Sequence, residues 1–225
     1  MRRVVVLAAS AVAVTGLAAC VLLLPGDGAP GGAGAAQAGG AARAAAPGPA
    51  DPLTTEEIRR AAALATAGMR SHLAAGRAQL LYVERDDAKD GEGARRAEAY
   101  VYDYARDELT VRTVDLGQGR VVREVTDRGV QPPPSRQEEA HAAELLLRDP
   151  RFGDGVRSAY RRAAGRELGS AADLALRGLI HSAPRGACAR HRCLRLFVRL
   201  PDGTFLDTSR IVVDLSAKKV HTLEW

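Results

Sequence analysis

Three consecutive prolines, Pro132-Pro133-Pro134, are the strongest constraint on what this chain can fold into. Proline lacks an amide hydrogen and fixes its own φ, so a strand arriving through Val121 to Val125 must stop before this triplet. One structural unit ends there. Directly afterwards Ser135 and Glu138 stand at the spacing of a capping box, in which the hydroxyl and the carboxylate each take a helix-start amide. A second unit starts there. The same grammar occurs earlier, where Pro52 precedes Thr54 and Glu57, and the unit ends also match: Thr113-Val114-Asp115-Leu116-Gly117-Gln118-Gly119-Arg120-Val121 resembles Val212-Val213-Asp214-Leu215-Ser216-Ala217-Lys218-Lys219-Val220. The chain therefore reads as an α-then-β unit used twice, over 51–131 and 132–225.

The first 50 of the 225 residues stand apart from both units. Arg2 and Arg3 precede a mostly apolar run from Val4 to Leu24, and residues 25–50 are rich in Ala, Gly and Pro, as in a flexible linker. Residues 1–24 have the composition of a signal peptide or membrane anchor, and three fates remain open. Leu17-Ala18-Ala19-Cys20 resembles a lipobox, with Cys20 as the lipidation candidate. The apolar run is also about long enough for an uncleaved transmembrane anchor, which needs roughly 20 apolar residues. Ala36-Gln37-Ala38 offers a cleavage pattern for full secretion. All three put the protein outside the cytoplasm, with membrane anchoring through the N-terminus favoured over release.

Setting Cys20 aside leaves Cys188 and Cys193, an even and closely spaced pair that most simply makes a disulfide in an oxidising compartment. Zinc would need four ligands, and only His181 and His191 stand near the two thiols. The reading is therefore no metal and no cofactor. The formal charge of +5 is unevenly spread, since eleven arginines face three acids between Arg151 and Leu200. Arg185, Arg190, Arg192, Arg195 and Arg199 form the candidate basic patch, suited to an anionic surface or an unknown protein partner outside the cytoplasm, not to nucleic acid. Ordinary solvated arginine is the competing reading.

Periodicity fills in the units. Ile58, Ala62, Ala65, Met69 and Leu73 predict one helix face between Thr54 and Ala75, with a stop at Gly76. Four strands follow, the second of which sets Ala97, Ala99 and Val101 opposite Tyr100, Tyr102 and Tyr104. The tyrosine stripe suits either a binding surface or cross-strand packing. In the second unit a helix ending near Asp149 is followed by a helical turn or two up to Gly165, and 174–181 is ambiguous. Leu194, Leu196, Val198 and Leu200 alternate with Arg195, Phe197 and Arg199; the Pro201-Asp202-Gly203 turn then leads into a strand reaching Leu215, and a last strand runs from Lys219 to Leu223.

An ordered set of short stretches resembles the two small domains that precede the catalytic domain of copper amine oxidases. It comprises Asp51-Pro52-Leu53-Thr54 with Glu56-Glu57-Ile58, Arg95-Arg96-Ala97-Glu98, Val114-Asp115-Leu116, Gly129-Val130-Gln131-Pro132-Pro133, Glu138-Glu139, Asp149-Pro150-Arg151-Phe152 and Val212-Val213-Asp214-Leu215. The resemblance implies an α+β chain of two tandem cystatin-like units, each a helix packed on a four-stranded antiparallel sheet. It implies no catalysis: Val101-Tyr102-Asp103-Tyr104 lacks the Asn of the topaquinone motif, and His72, His141, His181, His191 and His221 contain no His-x-His copper pair. No Gly-x-Ser-x-Gly elbow or phosphate loop is present either. The expectation is an exported, membrane-anchored binding or scaffold protein without catalytic residues. The alternative is an accessory subunit that docks on a separately encoded primary amine oxidase.

Overall fold

The computed structural model describes residues 47–87 and 93–223. The N-terminal apolar run, Cys20 and nearly all of the linker lie outside them. Among the described residues no helix is long and apolar enough to cross a membrane.

The fold is α+β. Helix α1 (Thr55–Thr66) starts at the Thr54/Glu57 capping box, with Glu56 and Glu57 favourably placed in its first turn. Its core face is Ala61 together with Ala65 of the predicted line, whereas Ile58 of that line is 38% exposed. Ala61 and Ala65 pack on Ala97, Ala99 and Val114 of the sheet, small side chains on both sides letting the helix lie close. The predicted single helix is also interrupted, by a 3-10 turn at Ala67–Met69 before α2 (Arg70–Ala74). Gly68 weakens the helix there, and the Thr66 hydroxyl donates to the Ala62 carbonyl, a bond that tends to bend helices.

Strands β1 (Ala78–Arg85), β2 (Arg96–Asp103), β3 (Glu108–Asp115) and β4 (Arg120–Arg128) form an antiparallel sheet in sequence order. Its other face carries Leu81, Tyr102 and Leu109, with Tyr82, Tyr100 and Tyr104 packed against them. Tyr82 opposes Tyr100 across β1 and β2 with ring centroids 4.6 Å apart, and Tyr102 is fully buried. The tyrosine stripe is packing.

Beyond the prolines, α3 (Arg136–Arg148) begins at the Ser135/Glu138 capping box and α4 (Gly153–Ala164) follows one short turn later. Gly153 is needed at that turn because an added Cβ would lie 2.2 Å from the Leu147 carbonyl oxygen. The second sheet, β5 (Ala175–Ile180), β6 (Cys193–Arg199), β7 (Ile211–Asp214) and β8 (Lys219–Thr222), is again antiparallel in sequence order. The expected long strand into Leu215 is shorter than predicted. Only Phe205 bridges to Arg199 before β7 starts at Ile211, since the Asp202 and Asp207 side chains hold local turns with Thr204 and Ser209. Helix α3 lies across all four strands of this sheet, as α1 lies across the first. Leu146, Leu147, Val156, Tyr160, Leu194, Leu196, Val198, Val213 and Val220 make the larger core, and Tyr104 of the first half packs against it. Residues 45–225 cluster as one compact unit.

Candidate functional site

The most heavily charged place in the interior is where the two halves meet. Arg192 and Glu138 are both fully buried and form a two-pronged ion pair, with Nε to Oε1 at 2.5 Å and Nη2 to Oε2 at 2.8 Å. The remaining guanidinium hydrogens go to Gln131 Oε1, the Pro132 carbonyl and the Pro133 carbonyl at 3.1, 3.1 and 3.4 Å. All five donors of the guanidinium are therefore in use. Glu138 is equally saturated, because Oε1 also accepts from Tyr104 Oη and Oε2 from the Ser135 amide, both at 2.9 Å. The guanidinium carbon lies 4.9 Å from the Tyr102 ring centroid, a cation–π contact. Gln131 Nε2 donates to Tyr102 Oη, and Gln79 links Tyr104 Oη to the Ser135 hydroxyl. Burial pushes the Tyr102 hydroxyl up to about 12 and raises Tyr104 further, the Glu138 carboxylate adding to burial at Tyr104. Neither phenol ionises near neutral pH.

A partner to this junction exists in the first half. Arg95 Nε and Nη2 both reach the capping-box Glu57 at 2.8 Å, and its other donors take the carbonyls of Gly48, Pro49, Asp51 and Pro52. In both halves the arginine just before the second strand holds the capping-box glutamate and the proline segment ahead of the helix. The backbone repeats this equivalence, since Leu116 donates to the Arg95 carbonyl and Leu215 to the Arg192 carbonyl, each at 2.9 Å. Sequence reasoning found the glutamates but missed the arginines. The signal was Arg95 and Arg192 each standing just ahead of a second strand.

The candidate patch is split by this result. Arg192 is a correction: it has no exposed surface and contributes nothing to an outer field. Tyr102 and Gln131 of the first half, with Glu138 and the proline carbonyls far ahead in its own half, enclose it, which no periodicity within its own strand reveals. Arg185 and Arg190 are exposed on the segment around the Cys188–Cys193 pair, whose sulfurs are at bonding distance and whose Cα atoms are 5.6 Å apart. Arg195 and Arg199 lie on the outward face of β6 with Phe197 between them. His191 is not a zinc candidate beside the cysteines. Its Nδ1 lies 2.7 Å from Oδ2 of the buried Asp214, hydrogen-bond contact that leaves no space for an ion between them, and His221 Nε2 is 3.6 Å from the same oxygen. Among the described residues no group of three His, Cys, Asp or Glu is arranged to hold a metal.

Two clefts open beside the junction. One of about 560 Å³ lies between Leu73, Leu80, Tyr104, His141, Glu144 and Lys218. The other, about 500 Å³, lies between Arg106, Arg128, Arg190 and His191. Neither joins a nucleophile to a base, and Arg128 already pairs with Glu108.

No family model matches this chain, and no curated protein matches it. Solved structures similar to it include a copper-containing benzylamine oxidase from Hansenula polymorpha, at 11% identity and a TM-score of 0.47 over 78% of this chain. The chain spans 30% of that oxidase's length. A likeness at this level bears on no site or reaction.

Proposed function

We propose that this chain is an extracytoplasmic, non-catalytic binding module of two cystatin-like units, 51–131 and 132–225, of the kind that precedes the catalytic domain in copper amine oxidases. The N-terminal segment 1–24 holds it at a membrane, with 25–50 as the tether. The observation that carries the reading is the saturation of Arg192 and Glu138. Every donor of Arg192 and both oxygens of Glu138 are engaged within the protein, with the bonds to Gln131 and from Tyr104 crossing between the halves, which leaves the pair nothing to offer a substrate. The Cys188–Cys193 pair supports an oxidising compartment.

The test is chemical. Purified protein is expected to carry no stoichiometric copper by metal analysis and to release no hydrogen peroxide from primary amines. Stoichiometric copper, or peroxide formed only when amine is added, overturns the reading.

A further inference from the structure

The outward face of the second sheet carries two patterns at once. On β5 Ala175, Arg177 and Leu179 point away from the core, and on β6 Arg195, Phe197 and Arg199 do so. Register sets Arg177 opposite Phe197 and Leu179 opposite Arg195, while Phe205 bridges beside Arg199. Each of the three rungs thus holds one guanidinium and one large apolar side chain. Opposed Cβ atoms stand about 5 Å apart, so charge and hydrocarbon are interleaved at the scale of single side chains. Leu179, Phe197 and Phe205 are 57, 45 and 63% exposed, half of the large apolar side chains that reach that class among the described residues. Arg177 and Arg195 bond only to backbone carbonyls, of Leu176 and Ser209, and Arg199 makes no ion pair among the described residues. The acids nearest in sequence are otherwise engaged, Asp173 with Arg166, Asp202 with Thr204 and Asp207 with Ser209.

We propose that this face docks on an anionic lipid bilayer. Arg177, Arg195 and Arg199 pair with headgroup phosphate oxygens, and Leu179, Phe197 and Phe205 enter the interfacial zone beneath. A soluble polyanion would satisfy the arginines but leave three apolar side chains in water. An apolar protein surface would cover those and strip the guanidinium groups of water without return. A bilayer surface presents phosphate and hydrocarbon within a few ångströms of each other, and arginine bridges both through its apolar stem and planar fork. The inference deepens the binding-module reading and rests on its extracytoplasmic placement.

The fragment 45–225 contains all three apolar clusters and makes one compact unit, so it serves as the probe without the N-terminal run. It is expected to sediment with vesicles of equal parts phosphatidylcholine and phosphatidylglycerol, to ignore phosphatidylcholine alone, and to be released by salt. Each arginine near an anionic surface is worth about fivefold, so Arg195→Glu with Arg199→Glu should weaken binding by at least about 25-fold. Phe197→Ala with Phe205→Ala, which leaves the charge unchanged, should weaken it about tenfold or more. Arg177→Glu with Leu179→Ala repeats the test on the neighbouring strand, and circular dichroism checks each variant's fold. The proposal is overturned if the wild-type fragment stays in the supernatant, if the phenylalanine variant binds unchanged, or if free polyglutamate binds as tightly as the vesicles. A negative vesicle result without copper or peroxide leaves the module reading in place. Copper or amine-dependent peroxide removes that reading whatever the vesicles show.

Discussion

Arg192 and Glu138 show how a charge is kept in a protein interior. Removing either partner leaves the other buried and unpaired, which typically costs about 3–5 kcal/mol. Arg192→Leu is therefore expected to lower stability by that amount in urea denaturation. Arg192→Lys should recover little, because a single ammonium cannot span both carboxylate oxygens and the proline carbonyls at once. The double change Arg192→Leu with Glu138→Leu should fall short of the sum of the single losses. Glu57 and Arg95 make the same pair nearer the solvent, at 20% and 13% side-chain exposure, and there the protonation state matters. The hydrogen bonds from Arg95, aided by those from Thr54, hold the Glu57 carboxyl down at about 2 from an ordinary 4.5. A depressed carboxylate stabilises the fold above its unfolded value and loses that contribution as pH falls. Stability should thus decline between about pH 4.5 and 2, and Glu57→Gln should flatten that part of the profile in urea midpoints measured across the window.

At the scale of elements the two halves can be compared turn for turn. Asp115 accepts the Gln118 amide through its side chain, and Asp214 accepts the Ala217 amide, both at 2.8 Å. Four residues after each aspartate the backbone is left-handed, at Gly119 with φ 68° and at Lys218 with φ 53°. Glycine tolerates that conformation and lysine does not, at a cost of about 1 kcal/mol. Lys218→Gly is accordingly expected to raise the melting temperature by a few degrees, and an unchanged or lower value would mean that Lys218 makes compensating contacts. These turns and both capping boxes were legible in the sequence because a few adjacent residues decide them. The face of α1 was legible only in part: Ala65 falls on the predicted line, but Ile58 of that line is exposed while Ala61, off it, is buried against Ala97 and Ala99. Arg192 was misread for a related reason: its surroundings come from Tyr102, Gln131 and Glu138, far away in the chain. The outward pair Arg195 and Arg199 was readable by period two, whereas the contribution of Phe205 depends on a single bridge formed across a loop.

In the whole molecule, residues 45–225 form one compact unit, with the junction bonding across its halves through Gln131 and Tyr104. The short loop closed by Cys188 and Cys193 ends at the residue next to Arg192, so it pins the strand that delivers the buried guanidinium. A loop this small contributes about 2 kcal/mol, and Cys188→Ser with Cys193→Ser should lower stability by that much. Attachment follows a separate logic. A lipobox cysteine carries a diacylglyceryl group, and two acyl chains already anchor stably, so the cationic, phenylalanine-bearing sheet face would only add to that hold. A transmembrane segment needs no such help. The two cases make opposite predictions for the full chain in cell fractionation. With a lipid anchor, Cys20→Ser should leave the protein releasable from the membrane pellet by salt, and adding Arg195→Glu with Arg199→Glu to it should release the chain without salt. With a transmembrane anchor, neither change should move it, because about 20 apolar residues hold it irrespective of surface charge. Wild-type protein found wholly in the medium, with its N-terminus after Ala38, would exclude both anchors and leave the sheet face as the membrane contact to be tested.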